Sequence, residues 1–293
     1  MEYEIRNEHL KVCVDSRGGE LVSIRDQKDR EYMWQGDEAT WPDQGPNLFP
    51  YIARLTDGSY VYQGKTYHMD IHGFLMYMDM DLDLSTCRGD KLVMRLESSP
   101  ETLKKYPFEF SLEIIWELKG NVLEITYRVY NRDEKTMFFG VGGHPGFQVP
   151  MEEGTDFEDY YLDFGPEAKS LRVGMSEDCF VTGEDTPFVL RENRYLDLRH
   201  ELFDDDAIIL REMPRAVTLK SKNGNHSIRV SYPDMPYLGI WHWPRVQVPY
   251  LCIEPWSSLP SRKGIVEDLE QQENLISLES GEVYSNTWSV EIR

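Results

Sequence analysis

The chain has 293 residues, of which 40% are hydrophobic and 12% aromatic, and its 52 acidic and 31 basic residues leave a formal net charge of -21. A chain of this size can bury a large core, and no apolar run approaches the roughly 20 residues of a membrane span. Because the negative charge repels nucleic acid and anionic membranes, we expect a small neutral ligand and neither of those partners.

The N-terminal residues and the cysteines indicate a reducing compartment. The first four residues, MEYE, lack the basic and apolar segments of a secretory signal, so we expect a cytoplasmic protein. The four cysteines, Cys13, Cys87, Cys179 and Cys252, have neither CxxC nor zinc-finger spacing. This pattern favours reduced thiols over a zinc site or a disulfide framework.

Alternation of apolar and polar residues, which is typical of strands, dominates the chain. The alternating runs are 3–14, 21–26, 59–68, 91–97, 108–118 and 122–130. The turn sequence Lys-Gly-Asn predicts a hairpin between the last two runs, and Lys-Asn-Gly-Asn at 222–225 predicts a second hairpin between 216–220 and 227–231. Helical patterns are confined to 100–106 and 265–275.

The spacing of these runs predicts the fold class. Short strands about ten residues apart, with few helices, favour an all-β sandwich or barrel over alternating β and α units. No Pro-, Gly- or Ser-rich linker, internal repeat or low-complexity tract interrupts the pattern. We therefore expect one domain over residues 1–293.

Residues 142–147, GGHPGF, are the most informative segment. Two glycines permit backbone conformations that a side chain would forbid, and Pro145 stops any helix, so that His144 is fixed at the end of a strand. Histidine has an ordinary pKa of about 6.5 and can exchange a proton near neutral pH. A single His-Pro in a loop, however, more often has a structural role in a turn than a catalytic role.

Two other segments place polar residues beside glycines and prolines. Residues 47–58, NLFPYIARLTDG, contain Arg54 and lead through a strand-like run to IHGF at 71–74, which contains His72. Residues 250–256, YLCIEPW, are an apolar strand-like run that contains Glu254 directly before a proline. Taken singly, Arg54 is also compatible with a surface ion pair, and Glu254 with a surface carboxylate at a strand end.

Together these segments resemble the aldose 1-epimerase (galactose mutarotase) family, over residues 18–288. The family motifs occur in the same order, with 72 residues from His72 to His144 and 110 from His144 to Glu254. The tract LGIW at 238–241 is most similar to the LacX-like branch. The chain departs from well-studied members at Ala53, where they have asparagine, and at Gly146, where they usually have tyrosine.

The resemblance implies a fold and an activity. The fold is a large antiparallel β-sandwich, the galactose mutarotase-like supersandwich, with a sugar cleft on a concave face. The activity is interconversion of the α and β anomers of a free aldose. The resemblance implies that Glu254 is the base at the C1 hydroxyl and that His144 is the acid at the ring oxygen. The resemblance also implies that Arg54 and His72 bind the ring oxygen and neighbouring hydroxyls.

Three further residues are candidates for binding the sugar. An acidic residue orients a sugar hydroxyl in the family, and Asp205 and Asp206 are both candidates for that role. Trp241 is suited either to stacking on the apolar face of a pyranose or to packing in the core.

His68 and His72 are four residues apart, a spacing that would suggest a metal pair on a helix, but this tract is predicted to be strand and turn.

Ring opening and reclosure needs one acid and one base, so we expect no metal and no cofactor. We expect Glu254 to be charged and His144 to be protonated, since nearby carboxylates favour a charged imidazole.

Three alternatives stay open: a related enzyme acting on another sugar or a sugar phosphate, a glycoside hydrolase with two carboxylates, and a non-catalytic carbohydrate-binding protein. The oligomeric state is also open.

Overall fold

The structure is a computed structural model that describes all 293 residues, and strands dominate it. The strands are β1 (Glu2–Arg6), β2 (Leu10–Asp15), β3 (Glu20–Asp26), β4 (Asn47–Leu48), β5 (Ser59–Tyr62), β6 (Lys65–His68), β7 (Asp81–Leu82), β8 (Lys91–Glu97), β9 (Phe110–Lys119), β10 (Val122–Asn131), β11 (Met137–Phe139), β12 (Gly142–Gly143), β13 (Gly146–Gln148), β14 (Tyr160–Asp163), β15 (Ser170–Arg172), β16 (Thr186–Phe188), β17 (Tyr195–Asp197), β18 (Ile208–Arg211), β19 (Ala216–Ser221), β20 (Ser227–Ser231), β21 (Tyr237–Trp241), β22 (Tyr250–Trp256), β23 (Glu267–Asp268), β24 (Ile276–Leu278) and β25 (Val283–Ile292). The helical segments are α1 (Thr102–Lys105) and the 3-10 turns Thr56–Gly58, Leu75–Tyr77, Phe157–Asp159 and His200–Phe203. None of the helices has the length and apolar character that a membrane crossing requires.

Two large sheets form the body of the protein, which confirms the all-β prediction. The nine-stranded sheet has the order β17-β14-β19-β20-β25-β10-β9-β8-β7. The eight-stranded sheet has the order β16-β15-β18-β21-β22-β12-β4, with β13 also paired to β22. Smaller sheets are β1-β2-β3, β11-β24 and β23-β5-β6, and the pairing of β5 with β23 is parallel.

Both predicted hairpins are confirmed. β9 and β10 pair in antiparallel register from Lys119↔Val122 to Phe110↔Asn131 around Gly120, whose φ of +62° is the left-handed conformation that this turn requires. β19 and β20 pair from Lys220↔Ser227 to Ala216↔Ser231. The alternating burial along β10 shows that its apolar face packs inward, as the period-two pattern predicted.

Other boundaries differ from the predictions. The prediction of a helix at 265–275 is wrong, because the segment contains β23 and turns. In β23 the buried Glu267 carboxylate accepts a hydrogen bond from the Arg262 guanidinium at 2.8 Å. The run 3–14 divides into β1 and β2 at Asn7, whose side-chain oxygen accepts hydrogen bonds from two following backbone amides. The run 59–68 is the hairpin β5–β6, and the helix predicted at 100–106 is present as α1.

Contact between the two large sheets fixes the position of β12. A Cβ atom on Gly143 would lie 2.5 Å from Cζ2 of Trp288 in β25, so only glycine permits this approach. The Trp288 indole donates to the Tyr127 hydroxyl at 3.1 Å, and this hydroxyl donates to Asn47 Oδ1 at 2.7 Å. Asn47 pairs with Gly143 across β4 and β12. This buried chain of hydrogen bonds ties β25 and β10 to the strand that precedes His144.

Substitution of Gly143 tests this contact. Because an added methyl group would overlap the indole of Trp288, we expect Gly143→Ala to lower the free energy of unfolding by about 1–3 kcal/mol. Urea denaturation followed by circular dichroism measures the change. Gly89→Ala is the control, since no atom lies within 4 Å of its added Cβ, and it should change stability by no more than about 1 kcal/mol. Equal stability of Gly143→Ala and wild type would contradict the proposed role of the contact.

Candidate active site

Strand register brings His144 and Glu254 together. On the two sides of His144, Gly142 pairs with Trp256 and Gly146 pairs with Cys252, so the histidine lies opposite Glu254 in the antiparallel register. Directly opposed residues project to the same face of a sheet. The His144 Nε2 and Glu254 Oε2 atoms are 3.2 Å apart, and both side chains are buried.

A cavity of about 330 Å³ lies over this pair on one face of the eight-stranded sheet. Its lining includes all seven side chains that the sequence analysis proposed, namely Arg54, His72, His144, Asp205, Asp206, Trp241 and Glu254. Gly239 pairs with Glu254 in the adjacent strand, and an added Cβ atom would lie 3.0 Å from the Trp256 ring and 3.2 Å from the Glu254 Cβ atom, so glycine permits these side chains to pack closely. His68, by contrast, is exposed on β6 and does not line the cavity.

His72 is held by a reciprocal contact with Ala53. The Ala53 amide donates to His72 Nδ1 at 3.1 Å, and the His72 amide donates to the Ala53 carbonyl at 3.0 Å. Because Nδ1 accepts a hydrogen bond, the neutral ring carries its proton on Nε2. Both residues have left-handed backbones, with φ of 57° at Ala53 and 63° at His72. The contact thus orients the imidazole at the cost of backbone strain.

The two acidic candidates differ in their surroundings. The Asp206 carboxylate accepts from the Cys179 thiol at 3.0 Å and from the Ala207 amide at 2.8 Å, which fixes its orientation. Asp205 is exposed and makes no hydrogen bond. Arg54 is exposed at the cavity and forms no ion pair, so its guanidinium is free to bind a ligand.

Aromatic rings form the opposite wall. The Trp41 ring lies 5.0 Å from the His144 ring at an interplanar angle of 35°, and the Trp241 ring lies 5.6 Å from His144 at 82°. Trp243 continues this wall toward solvent. Sequence analysis missed Trp41, Trp243 and Cys179, since none of them lies in a motif and only the fold brings them to the cavity.

Burial sets the protonation of the central pair. It lowers the pKa of His144 well below the ordinary value, and the neighbouring His72, whose protonation would oppose a second positive charge, acts in the same direction. Burial also raises the pKa of Glu254 well above its ordinary value, and the negative charge of Asp206 contributes. The unliganded site therefore favours a neutral imidazole beside a protonated carboxyl, which is the reverse of the charge states expected from sequence.

The pair retains binding capacity for a ligand. His144 Nδ1 is buried and has no hydrogen-bond partner in the protein, and Glu254 Oε2 has only the 3.2 Å contact with His144 Nε2, which lacks hydrogen-bond geometry. Leaving such atoms unpaired is costly, and a bound ligand that supplies hydrogen bonds recovers part of that cost.

One group of side chains has a spacing compatible with a metal ion. Ligand atoms of His144, Cys252 and Glu254 lie within 4.8 Å of one another. Burial raises the pKa of the Cys252 thiol well above its ordinary value, and a negative charge on Glu254 would act in the same direction, so the thiol favours its protonated form in this structure. The four cysteines are all free thiols, as the sequence predicted.

Comparison with known proteins identifies the family. The family model described as aldose 1-epimerase matches residues 1–290, and the chain belongs to that family. The chain is 32% identical to the chromosomal protein LacX of Lactococcus lactis subsp. lactis over 96% of both chains. The structure matches a galactose mutarotase related enzyme from Lactobacillus acidophilus, with a TM-score of 0.95, 32% identity and coverage of 100% of this chain and 97% of the other. A galactose mutarotase-like protein from Lactobacillus casei ATCC 334 matches with a TM-score of 0.94 and 31% identity, at full coverage of both chains. The resemblance to the family, its LacX-like branch and the mutarotase-like fold are thereby confirmed.

The partly buried His72 ring predicts a pH-dependent stability. Burial and the Arg54 charge lower its pKa to about 4, below the unfolded value of about 6.5. The unfolded chain therefore binds more protons between these values, and the free energy of unfolding falls as pH decreases from 6.5 to 4. We expect His72→Asn to reduce the loss between pH 7 and pH 4.5 by about 1–3 kcal/mol.

Urea denaturation of both proteins at the two pH values measures this difference. Asparagine tolerates the positive φ at this position, which limits other effects of the substitution. His68→Asn is the matched control, because His68 is exposed. An identical pH dependence in His72→Asn and wild type would contradict a neutral His72 ring with a lowered pKa.

Proposed function

We propose that the protein is an aldose 1-epimerase that interconverts the α and β anomers of a free aldose by acid/base ring opening and reclosure. Membership of the aldose 1-epimerase family supports a sugar epimerase or mutarotase. The acid/base reaction on a free aldose is supported by one observation, the 3.2 Å contact between His144 Nε2 and Glu254 Oε2 in a cavity whose wall includes tryptophans. A neutral imidazole can accept a proton and a protonated carboxyl can donate one, so the pair contains an acid and a base side by side.

In the proposed reaction one member of the pair takes a proton from the sugar while the other member gives one to it. O1 and O5 are both bonded to C1, and each can face one of two adjacent protein groups. The base takes the proton of the C1 hydroxyl, the C1=O1 double bond forms, and the C1–O5 electron pair moves to O5, which takes a proton from the acid. Rotation about C1–C2 presents the other face of the carbonyl. The same transfers in reverse then close the ring and restore the pair.

The protonation of the pair allows either assignment of the two roles. The family resemblance implies Glu254 as the base and His144 as the acid. The neutral imidazole and protonated carboxyl favoured by burial hold the same number of protons as an imidazolium and a carboxylate. Transfer of one proton across the 3.2 Å contact converts one form into the other. Sugar hydroxyls and the nearby Arg54 charge would stabilise the ionised form once substrate is bound.

Four surrounding side chains suit the binding of a sugar. Arg54 and the Nε2–H of His72 are donors for ring and hydroxyl oxygens, and the Asp206 carboxylate is an acceptor for a hydroxyl. We favour Asp206 over Asp205 because its orientation is fixed and its charge acts on Glu254. Trp241 offers an aromatic face to the C–H side of a pyranose.

Removing either member of the pair tests the mechanism. We expect His144→Ala and Glu254→Gln each to lower kcat by about 100-fold or more, since a positioned acid or base contributes 10²–10⁴. Polarimetry of freshly dissolved α-anomers across a panel of aldoses measures the rate, and circular dichroism checks the fold. His68→Ala is the control, because this histidine lies outside the cavity. Near wild-type kcat in either pair variant would exclude the assignment.

The pH dependence of kcat/KM supplies a second test. The pair loses its base when both His144 and Glu254 are protonated. This requires a pH below the pKa of His144, which burial lowers well below its ordinary value of 6.5. We therefore expect kcat/KM to stay level through pH 6.5 and to fall only at lower pH. The background rate without enzyme is subtracted at each pH. An inflection near pH 6.5–7 would show that the pair titrates as an ordinary solvent-exposed histidine does.

A further inference from the structure

The His144 ring lacks the kind of hydrogen bond that commonly orients a functional histidine. In many sites a hydrogen bond to one ring nitrogen fixes the tautomer and the orientation of the imidazole. Here Nδ1 is buried and has no partner in the protein, and the 3.2 Å contact of Nε2 with Glu254 lacks hydrogen-bond geometry. Packing must therefore hold this ring in place.

Three aromatic rings surround the imidazole, and one of them lies closest to parallel with it. The Trp41 ring is 5.0 Å from the His144 ring at an interplanar angle of 35°. The rings of Trp241 and His72 are almost perpendicular to it, at 82° and 84°. Trp41 is only 7% exposed and His144 only 8%. Of these three rings, Trp41 is the one that covers a face of the imidazole and excludes water from it.

The segment that contains Trp41 is bound to the backbone on both sides of the His144 ring. The Trp34 amide donates to the Gly146 carbonyl at 2.9 Å, and the His144 amide donates to the Pro46 carbonyl at 2.9 Å. Within the segment, the Trp34 indole donates to the Trp41 carbonyl at 3.0 Å. These bonds fix the backbone of Trp41 relative to that of His144.

Gly146 provides the space that the Trp41 indole occupies. An added Cβ atom at this position would lie 2.6 Å from Trp41 Cζ3, so only glycine permits the approach. The indole also packs against Tyr250, with 5.4 Å between ring centroids, and against Trp241, with 5.6 Å. Because it is enclosed on these sides, the ring cannot rotate away from His144 without repacking its neighbours.

The titratable groups nearest to His144 favour their neutral forms. Glu254 and Cys252 face it from β22, and burial raises the pKa of both groups well above their ordinary values. His72 faces it from the turn after β6, and burial lowers the pKa of that ring to about 4. The other titratable groups that line the cavity are Asp43, Arg54, Tyr77, Cys179, Asp205 and Asp206.

Contact with the indole affects the ionisation of His144 in two opposite ways. A cation–π attraction favours the imidazolium, whereas loss of hydration disfavours it. For an enclosed charge without an ionised partner the loss of hydration is the larger effect. The pKa of His144 accordingly lies well below its ordinary value. Removing the indole should therefore raise this pKa.

We propose that Trp41 is a positioning residue for His144: its indole, in place of a hydrogen bond to Nδ1, holds the imidazole with Nε2 against Glu254 and shields it from water. The catalytic consequence rests on the proposed function. The orientation and the shielding are properties of the unliganded protein and are tested without substrate.

Nitrogen-15 NMR of the histidine rings in the unliganded protein is the first test. We expect the wild-type His144 ring to stay neutral from about pH 8 to about pH 5.5, with its signals identified by their absence from His144→Ala. In Trp41→Ala water reaches the ring, so we expect the midpoint of its titration to rise into the range of about 5.5–6.5. Trp41→Phe, which retains an aromatic face, should behave as the wild type.

Val248→Ala is the matched control. Val248 belongs to the same buried cluster as Trp41 but does not line the cavity, so its truncation loosens the cluster without uncovering the imidazole. It should leave the titration of His144 unchanged. If circular dichroism shows that Trp41→Ala is unfolded, Trp41→Leu replaces it. Leucine leaves part of the imidazole face open and should raise the midpoint in the same direction.

Polarimetry with the same variants connects the orientation of the ring to the reaction. Misplacing a reacting group by about 1 Å can cost about 10² in rate. We therefore expect Trp41→Ala to lower kcat by about 10- to 100-fold and to change KM by less than about threefold. The inflection in the pH profile of kcat/KM should move upward with the His144 midpoint. Trp41→Phe should retain kcat within about threefold.

Several outcomes would overturn the inference. These are a His144 midpoint near 6.5 in the wild type, equal titration in the wild type and the folded Trp41 variant, or an equal shift in Val248→Ala. A raised KM with unchanged kcat and unchanged titration would show that Trp41 contacts the sugar instead. Absence of anomer interconversion in the wild type would overturn the proposed reaction alone, because the NMR result does not depend on it.

Discussion

The arrangement of the site depends on one cross-strand contact, that between His144 and Glu254. Antiparallel register across β12, β13 and β22 places the two side chains on one face with 3.2 Å between their polar atoms. Because both are buried, neither is at its ordinary pKa, and the pair behaves as one titrating unit. The interconversion of anomers that we propose needs one acid and one base beside the sugar, and such a pair could supply both. Most other features of the cavity maintain or surround this contact.

Close backbone packing beneath the pair is the second requirement. At Gly143 the Trp288 ring of the other large sheet occupies the space of a side chain, and at Gly239 the Trp256 ring and the Glu254 Cβ atom do so. The hydrogen bonds from Trp288 through Tyr127 to Asn47 anchor this region to the core. The core therefore supports the geometry of the candidate site directly, through contacts between sheets.

Loops supply the groups around the pair, and several of them are strained. Ala53, His72, Cys179 and Asp206 all have positive φ values, although none is glycine. Local conformational preference would not select these backbones, and each is maintained by contacts to a residue distant in sequence or by the turn it belongs to. The concentration of such residues at one cavity is consistent with a site selected for ligand binding.

Much of this protein could be predicted from the sequence, because strands, turns and special backbone positions leave local patterns. Period-two alternation and the Lys-Gly-Asn and Lys-Asn-Gly-Asn turns indicated the hairpins, and the Gly, Pro and His motifs indicated His144, His72, Arg54 and Glu254. Local pattern failed at 265–275, where the ion pair of the buried Glu267 carboxylate with Arg262 and the pairing of β23 with β5 override helical periodicity. Only the tertiary structure placed Trp41, Cys179 and Trp243 at the cavity, since they lie outside any motif. It also decided the charge states, because the pKa of a carboxyl or imidazole depends on burial and on neighbours that are remote in sequence.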